Sequence, residues 1–201
     1  MHITRKLLII FNILFCVSAE AYDCFSKNPR LSTPGNIYQS LNIKQQNKQQ
    51  LQQIRHILNY LTSRWFDGSA NRVVCRGQTP NINIQQQGFT VRSHTRHYPS
   101  DHFLLQLYME DLQHQSSMTE HLRFYIRDNA LRFTFESARG EIEIIRLDNN
   151  LLEFVTQHRH LGSITETHWS FQIQQQKLKI EKRIYGQGVL GEHMVWNLQR
   201  R

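Results

Sequence analysis

Beyond about residue 21 the chain has no apolar run long enough to cross a membrane as a helix, which needs roughly 20 such residues. It also lacks a Gly-x-Ser-x-Gly elbow, a His-Glu-x-x-His pair, a phosphate-cradling glycine loop and a Cys-x-x-Cys. These absences remove the common signatures of serine hydrolases, zinc peptidases, nucleotide enzymes and thiol oxidoreductases. No Asn-x-Ser/Thr acceptor occurs after residue 21, which favours a bacterial periplasm over a eukaryotic secretory route. The sequence therefore leans toward a binding protein rather than an enzyme.

What is present begins with an export signal. Arg5 and Lys6 precede an apolar run from Leu7 to Val17, and Ala19-Glu20-Ala21 supplies the small-x-small spacing of a cleavage site. Residues 1–21 read as a signal peptide, with cleavage before Tyr22. The apolar run, interrupted by Asn12, spans about half a bilayer, too little for an anchor. Cys16 would leave with the leader. Cys24 and Cys75 would then remain in an oxidising compartment, where a disulfide is expected. Loss of Arg5, Lys6 and Glu20 takes the 24 basic and 16 acidic residues to 22 and 15, a net +7. Such a charge keeps a domain soluble and attracts acidic partners or anionic surfaces.

The mature chain suits one domain with a sizeable core. Pro29, Pro34 and Gly35 punctuate an irregular arm at 22–39, and a helix-plus-barrel domain fills 40–201. Leu51, Ile54, Ile57, Leu58, Leu61 and Trp65 recur at three- and four-residue steps, the pattern of an amphipathic helix, with Gly68 as its stop. From Asn71 the period drops to two. Separate strands are expected at Val73–Arg76, Ile82–Gln86 and Phe89–His97. Others follow around Phe103–Met109, Leu122–Ile126, Leu131–Phe135, Ile142–Ile144 and Leu152–Phe154. Trp169–Ile173, Leu178–Ile184 and Met194–Leu198 complete the series. Alternation gives each strand one dry and one wet face, which is antiparallel behaviour.

Short polar turns such as Tyr98-Pro99-Ser100-Asp101 and Asp148-Asn149-Asn150 join these segments into a meander. A long open meander exposes pairing edges, so closure is the economical outcome. The expected fold is mainly β: an antiparallel up-and-down barrel of about eight to ten strands with one N-terminal amphipathic helix. A two-sheet sandwich is the alternative. The order of helix, Trp65, meander and basic tail at Arg200 and Arg201 resembles the calycin group, the lipocalin and fatty-acid-binding barrels. Ser63-Arg64-Trp65 stands where lipocalins have Gly-x-Trp. The resemblance implies a small apolar ligand held inside a barrel.

Strand parity then nominates a ligand-binding interior: Phe103, Phe124, Phe133, Phe135, Phe154, Trp169, Phe171 and Trp196, with His158 and His168 as polar groups to orient the ligand. The same rings could instead interdigitate into a solid core. No motif calls for a cofactor. The alternative is a metal or haem reached by His158 and His160, which share parity, with a third ligand from His94, His97, His102 or His168. Arg123-Phe124-Tyr125-Ile126-Arg127 interleaves arginine with rings, but parity buries Phe124 and export removes the chain from nucleic acid, so no nucleic-acid partner is expected. Lys177, Lys179, Lys182 and Arg183 read as a solvated outer face balanced by Glu181. The partners expected are an apolar small molecule or lipid inside the barrel, or an envelope protein outside a barrel acting as an interaction module.

Overall fold

The computed structural model describes residues 24–31 and 39–201, apart from 79, 80, 99, 100, 112, 136, 137, 161 and 162; at 78, 97, 135, 138–140 and 160 it describes the backbone alone. The proposed signal peptide lies outside the described residues. Helix α1 spans Lys48–Thr62. The strands are β1 (Phe66–Gln78), β2 (Asn81–Tyr98), β3 (His102–Asp111) and β4 (Ser116–Arg127). Then come β5 (Ala130–Phe135), β6 (Ala138–Gly140), β7 (Ile142–Asp148) and β8 (Leu151–His160). The last three are β9 (Ser163–Gln174), β10 (Lys177–Gly186) and β11 (Val189–Arg200).

The helix starts where the sequence can satisfy its orphan N–H groups. The Asn47 side chain accepts from the Gln50 N–H, and the Gln50 side chain accepts from the Asn47 N–H. This reciprocal capping box outweighs any pull toward an earlier start in the Gln-rich run. The helix ends at Ser63, whose N–H bonds the Asn59 carbonyl, so Trp65 and Gly68 fall outside it. Gly68 belongs to β1, where a β-carbon would collide with the carbonyl oxygen of Asn197 on β11. Close approach of two strands explains that glycine, and helix termination does not. Phe66, rather than Trp65, turns into the core: it is fully buried, while Trp65 is 56% exposed.

All strands form one antiparallel sheet in the order β6-β5-β4-β3-β2-β1-β11-β10-β9-β8-β7. The first and last strands of the meander pair with each other, Phe66 opposite Arg200. The two ends of the order are consecutive in the chain. Residues 138–148 act as one stave bent at Glu141: β6 pairs with β5, and β7 pairs with β8. The result is a nearly closed barrel of ten staves in a single sheet, as expected from the alternation, and not a sandwich. The expected strands Ile82–Gln86 and Phe89–His97 are one 18-residue strand, because Gln87-Gly88 continues the ladder opposite Arg72 and Asn71. Two-residue hairpins at Asp128-Asn129 and Gln187-Gly188 hold positive φ at both positions, the geometry that matches the right-handed twist of the strands.

The helix closes one mouth. Arg55 holds Asp101 in the β2–β3 turn through two hydrogen bonds of 3.0 and 2.7 Å, and Gln53 bonds Asn149 in the β7–β8 turn at 3.2 Å. The Tyr60 hydroxyl donates to the Gln175 carbonyl in the β9–β10 turn at 2.9 Å. Below these contacts Ile54, Ile57, Leu58 and Leu61 are fully buried in the core. At the opposite mouth the N-terminal arm bonds the β10–β11 hairpin, with Phe25 N–H to the Leu190 carbonyl and Asn28 N–H to the Gly188 carbonyl. The Cys24–Cys75 disulfide fastens the arm to β1. It closes a 51-residue separation, which in the chain-entropy account contributes about 4 kcal/mol.

Candidate functional site: a barrel interior with one charged end

Inward parity gathers most of the expected rings. Phe103, Phe124, Phe133, Phe154, Trp169, Phe171 and Trp196 are all buried in one core cluster. Phe133 lies at the hub, 4.8 Å from Phe124, 5.0 Å from Phe154 and 5.2 Å from Trp169, centroid to centroid. Most of these meetings are tilted or edge-on, which suits the ring quadrupoles. Phe135 lies on β5, its side chain outside the described atoms.

The polar groups nominated from sequence are elsewhere. His168 has the opposite parity to Trp169 and sits on the outer wall, its ring tilted against Tyr185 and bonded to Glu166 at 2.7 Å. His158 is exposed near the open end of β8, and His160 has no described side chain. His94 packs against Trp65 and His102 against Tyr125, both on the outside, and the side chain of His97 is not described. Among the described residues no group of three or more His, Cys, Asp and Glu comes together to hold a metal.

A charged chain that the sequence reading did not single out lies in the half of the interior away from the helix. Lys182 follows Leu178 and Ile180 on the inward face of β10 and is 3% exposed, so it is not part of the solvated outer face expected for it. Its Nζ lies 2.9 Å from Glu120 Oε1 on β4 and 3.3 Å from Glu192 Oε1 on β11. Glu192 in turn accepts from Arg72 of β1 at 2.7 Å. The same ammonium stands 5.8 and 5.6 Å from the ring centroids of Trp169 and Trp196, within cation–π range. Trp196 donates its indole N–H to the Met109 sulfur at 3.2 Å. The signal for Lys182 was its even number beside Leu178 and Ile180; its three charged neighbours drew it into the outer-face reading. Lys179, Glu181 and Arg183 do form that outer face, Glu181 bridging the other two.

Charge in such a place is costly unless matched. Burial pushes the Glu120 carboxyl above its usual range, and Lys182 only partly offsets this. Burial also raises Glu192, but Arg72 and Lys182 outweigh it and hold that carboxyl below the usual range. Two buried atoms at the ends of the chain, Glu120 Oε2 and Arg72 Nε, have no hydrogen-bond partner among the described residues. One is an acceptor, or a donor when protonated, and the other is a donor. Together they present a polar end to an otherwise aromatic interior.

A second network sits outside. Arg30 in the arm bonds Glu166 at 2.8 Å and Glu143 at 2.6 Å, and Asn28 donates to Glu166 at 2.6 Å. Burial raises Glu166, but bonds from His168, Asn28 and Gln157 hold its carboxyl below the usual range. This clasp lays the arm against the wall of β7 to β9 and is structural.

Among the described residues no helix is long and apolar enough to cross a membrane. No protein-family model and no curated protein matches the sequence. A solved structure described as an oleoyl thioesterase from Lactobacillus plantarum is similar over 68% of this chain and 76% of its own, at 6% identity and a TM-score of 0.19. A likeness of that depth carries no conclusion about fold or activity.

Proposed function

We propose that the chain is an exported binding protein whose barrel holds a small, largely apolar molecule with its polar end at Glu120, Lys182, Glu192 and Arg72. The observation that carries this reading is the pair of unmatched buried atoms, Glu120 Oε2 and Arg72 Nε, at one end of a ring-lined interior. Natural interiors rarely leave such atoms orphaned, and a ligand head that accepts from arginine and bonds a protonated carboxyl would satisfy both. Phe103, Phe124, Phe133, Phe154, Trp169, Phe171 and Trp196 would contact the apolar body. The layout shared with calycin barrels supports the same reading. The disulfide and the signal-like N-terminus support export to the periplasm or beyond.

Native mass spectrometry of protein purified from its own host tests this, combined with palmitate titration followed by Trp169 and Trp196 emission. Co-purified mass, or saturable quenching that Glu120→Gln weakens at least tenfold, is the expected result. A bare mass with no response to palmitate counts against the carrier. Mature protein beginning at Tyr22 in a periplasmic or medium fraction is expected; retention of residues 1–21 would defeat the export reading. A second reading has its own observation. Rings 4.8–5.2 Å apart around Phe133 fill space against each other, as in a solid core. On that reading the domain is an envelope interaction module, recovered from crosslinked cells bound to another protein.

A further inference from the structure

We propose that the outer wall of β2, β3 and β4 docks the protein onto an anionic lipid surface, independently of what the interior holds. The stretches 92–98, 102–109 and 121–127 on these three strands contain no acidic residue, yet carry Arg92, Arg96, Arg123 and Arg127. Ladder register brings the arginines together. Arg96, Leu104 and Arg123 form one row across the wall, and Arg92 stands opposite Tyr108 four residues along. Two neighbouring carboxylates are engaged elsewhere: Asp67, opposite Arg92, pairs with Arg201, and Asp101 pairs with Arg55. Asp128 pairs with Arg127 itself at 3.5 Å, which leaves Arg92, Arg96 and Arg123 as the cations of the wall. Glu110 stands at the rim, opposite Thr90. The far wall is built differently, with Glu181 bridging Lys179, Arg183 and His193.

Large rings stand among these charges. Trp65 is 56% exposed at the edge of the wall, its ring 5.9 Å from His94, and Tyr98 and Tyr108 are 41% and 43% exposed. An apolar ring with a polar tip beside a cation suits the boundary between headgroups and acyl chains. The shape favours a surface over a strand of polymer. Three adjacent staves about 4.8 Å apart present a broad, convex patch, whereas a single polyanionic strand is usually tracked by a groove. Each arginine near an anionic bilayer strengthens binding about fivefold.

Sedimentation of the mature protein with vesicles tests this, comparing phosphatidylcholine alone with a mixture containing one third phosphatidylglycerol. Binding only to the mixed vesicles is expected, with about a 25-fold loss in Arg96→Ser/Arg123→Ser. These side chains point outward, so far-ultraviolet circular dichroism should be unchanged. Trp65 is the exposed one of the three tryptophans. Its emission should shift to the blue on the mixed vesicles, and Trp65→Phe should abolish that shift. Lys177→Ser/Lys179→Ser, on the opposite wall, should alter binding less than twofold. Failure to sediment with the mixed vesicles, or binding indifferent to Arg96 and Arg123, overturns the proposal. Arginine-dependent binding to heparin without vesicle binding overturns it in favour of a polyanion site.

Discussion

The two halves of the barrel interior are built on the same staves but stabilised in opposite ways. Under the helix the inward positions are rings and aliphatic chains, packed with Ile54, Ile57, Leu58 and Leu61 of α1. Toward the other mouth the same staves place Glu120, Lys182, Glu192 and Arg72 inward. A sealed end can be wholly apolar, since dispersion and burial need no matching partner. A charged end holds only while every charge keeps its neighbour. Stability in the first half is distributed over many contacts; in the second it is concentrated in a few, which is where a ligand could act.

That contrast can be broken by mutation. Phe171→Ala, in the helix-capped half, should cost about 4 kcal/mol in urea denaturation, through lost burial plus a cavity that neighbouring rings cannot fill. No single second substitution should restore it. Lys182→Met should cost about 3 kcal/mol by leaving Glu120 and Glu192 with an uncompensated charge, and adding Glu120→Gln should recover most of that loss. Equal, unrecoverable losses in the two halves would erase the distinction. Asn47→Ala removes the cap that sets the start of the lid and should cost about 1 kcal/mol. Hydrogen exchange should then rise first in α1.

Acid offers a finer comparison. Glu166, Glu181 and Glu192 are held below the usual carboxylate range in the folded protein. Their contribution is fully present above the unfolded value, roughly pH 4.3, and is lost as pH falls through that point and below. Glu120 is shifted upward and so opposes folding above that value. Stability should therefore drop between about pH 5 and 3, and Glu166→Gln should flatten the drop. Glu120→Gln should leave the acid limb steep while removing an unfavourable contribution near neutrality.

Much of this architecture was legible before coordinates. Alternation from β3 onward placed Phe103, Phe124, Phe133, Phe154, Trp169, Phe171 and Trp196 inside, because parity on a strand is a rigid two-state variable. The bond between Cys24 and Cys75 followed from there being two cysteines beyond residue 21. Boundaries read less well. Gly68 looks like a helix stop, but its role is set by Asn197 on a strand 129 residues later. Gly88 looks like a break, yet ladder bonds on both sides carry β2 through it.

The periodicity by itself determined a helix followed by one-sided strands, and hence a chain that had to curl around a common inside. It determined which face of each strand is dry, since that depends on residues two apart. Only tertiary structure decided which inward residues meet. Glu120 and Lys182 are 62 positions apart, and Arg72 and Glu192 are 120 apart. No local pattern encodes such pairs; they come from closing β1 onto β11 and bending one stave at Glu141. Closure also puts the helix at one mouth and the arm at the other, leaving aromatic packing at one end and charge at the opposite one.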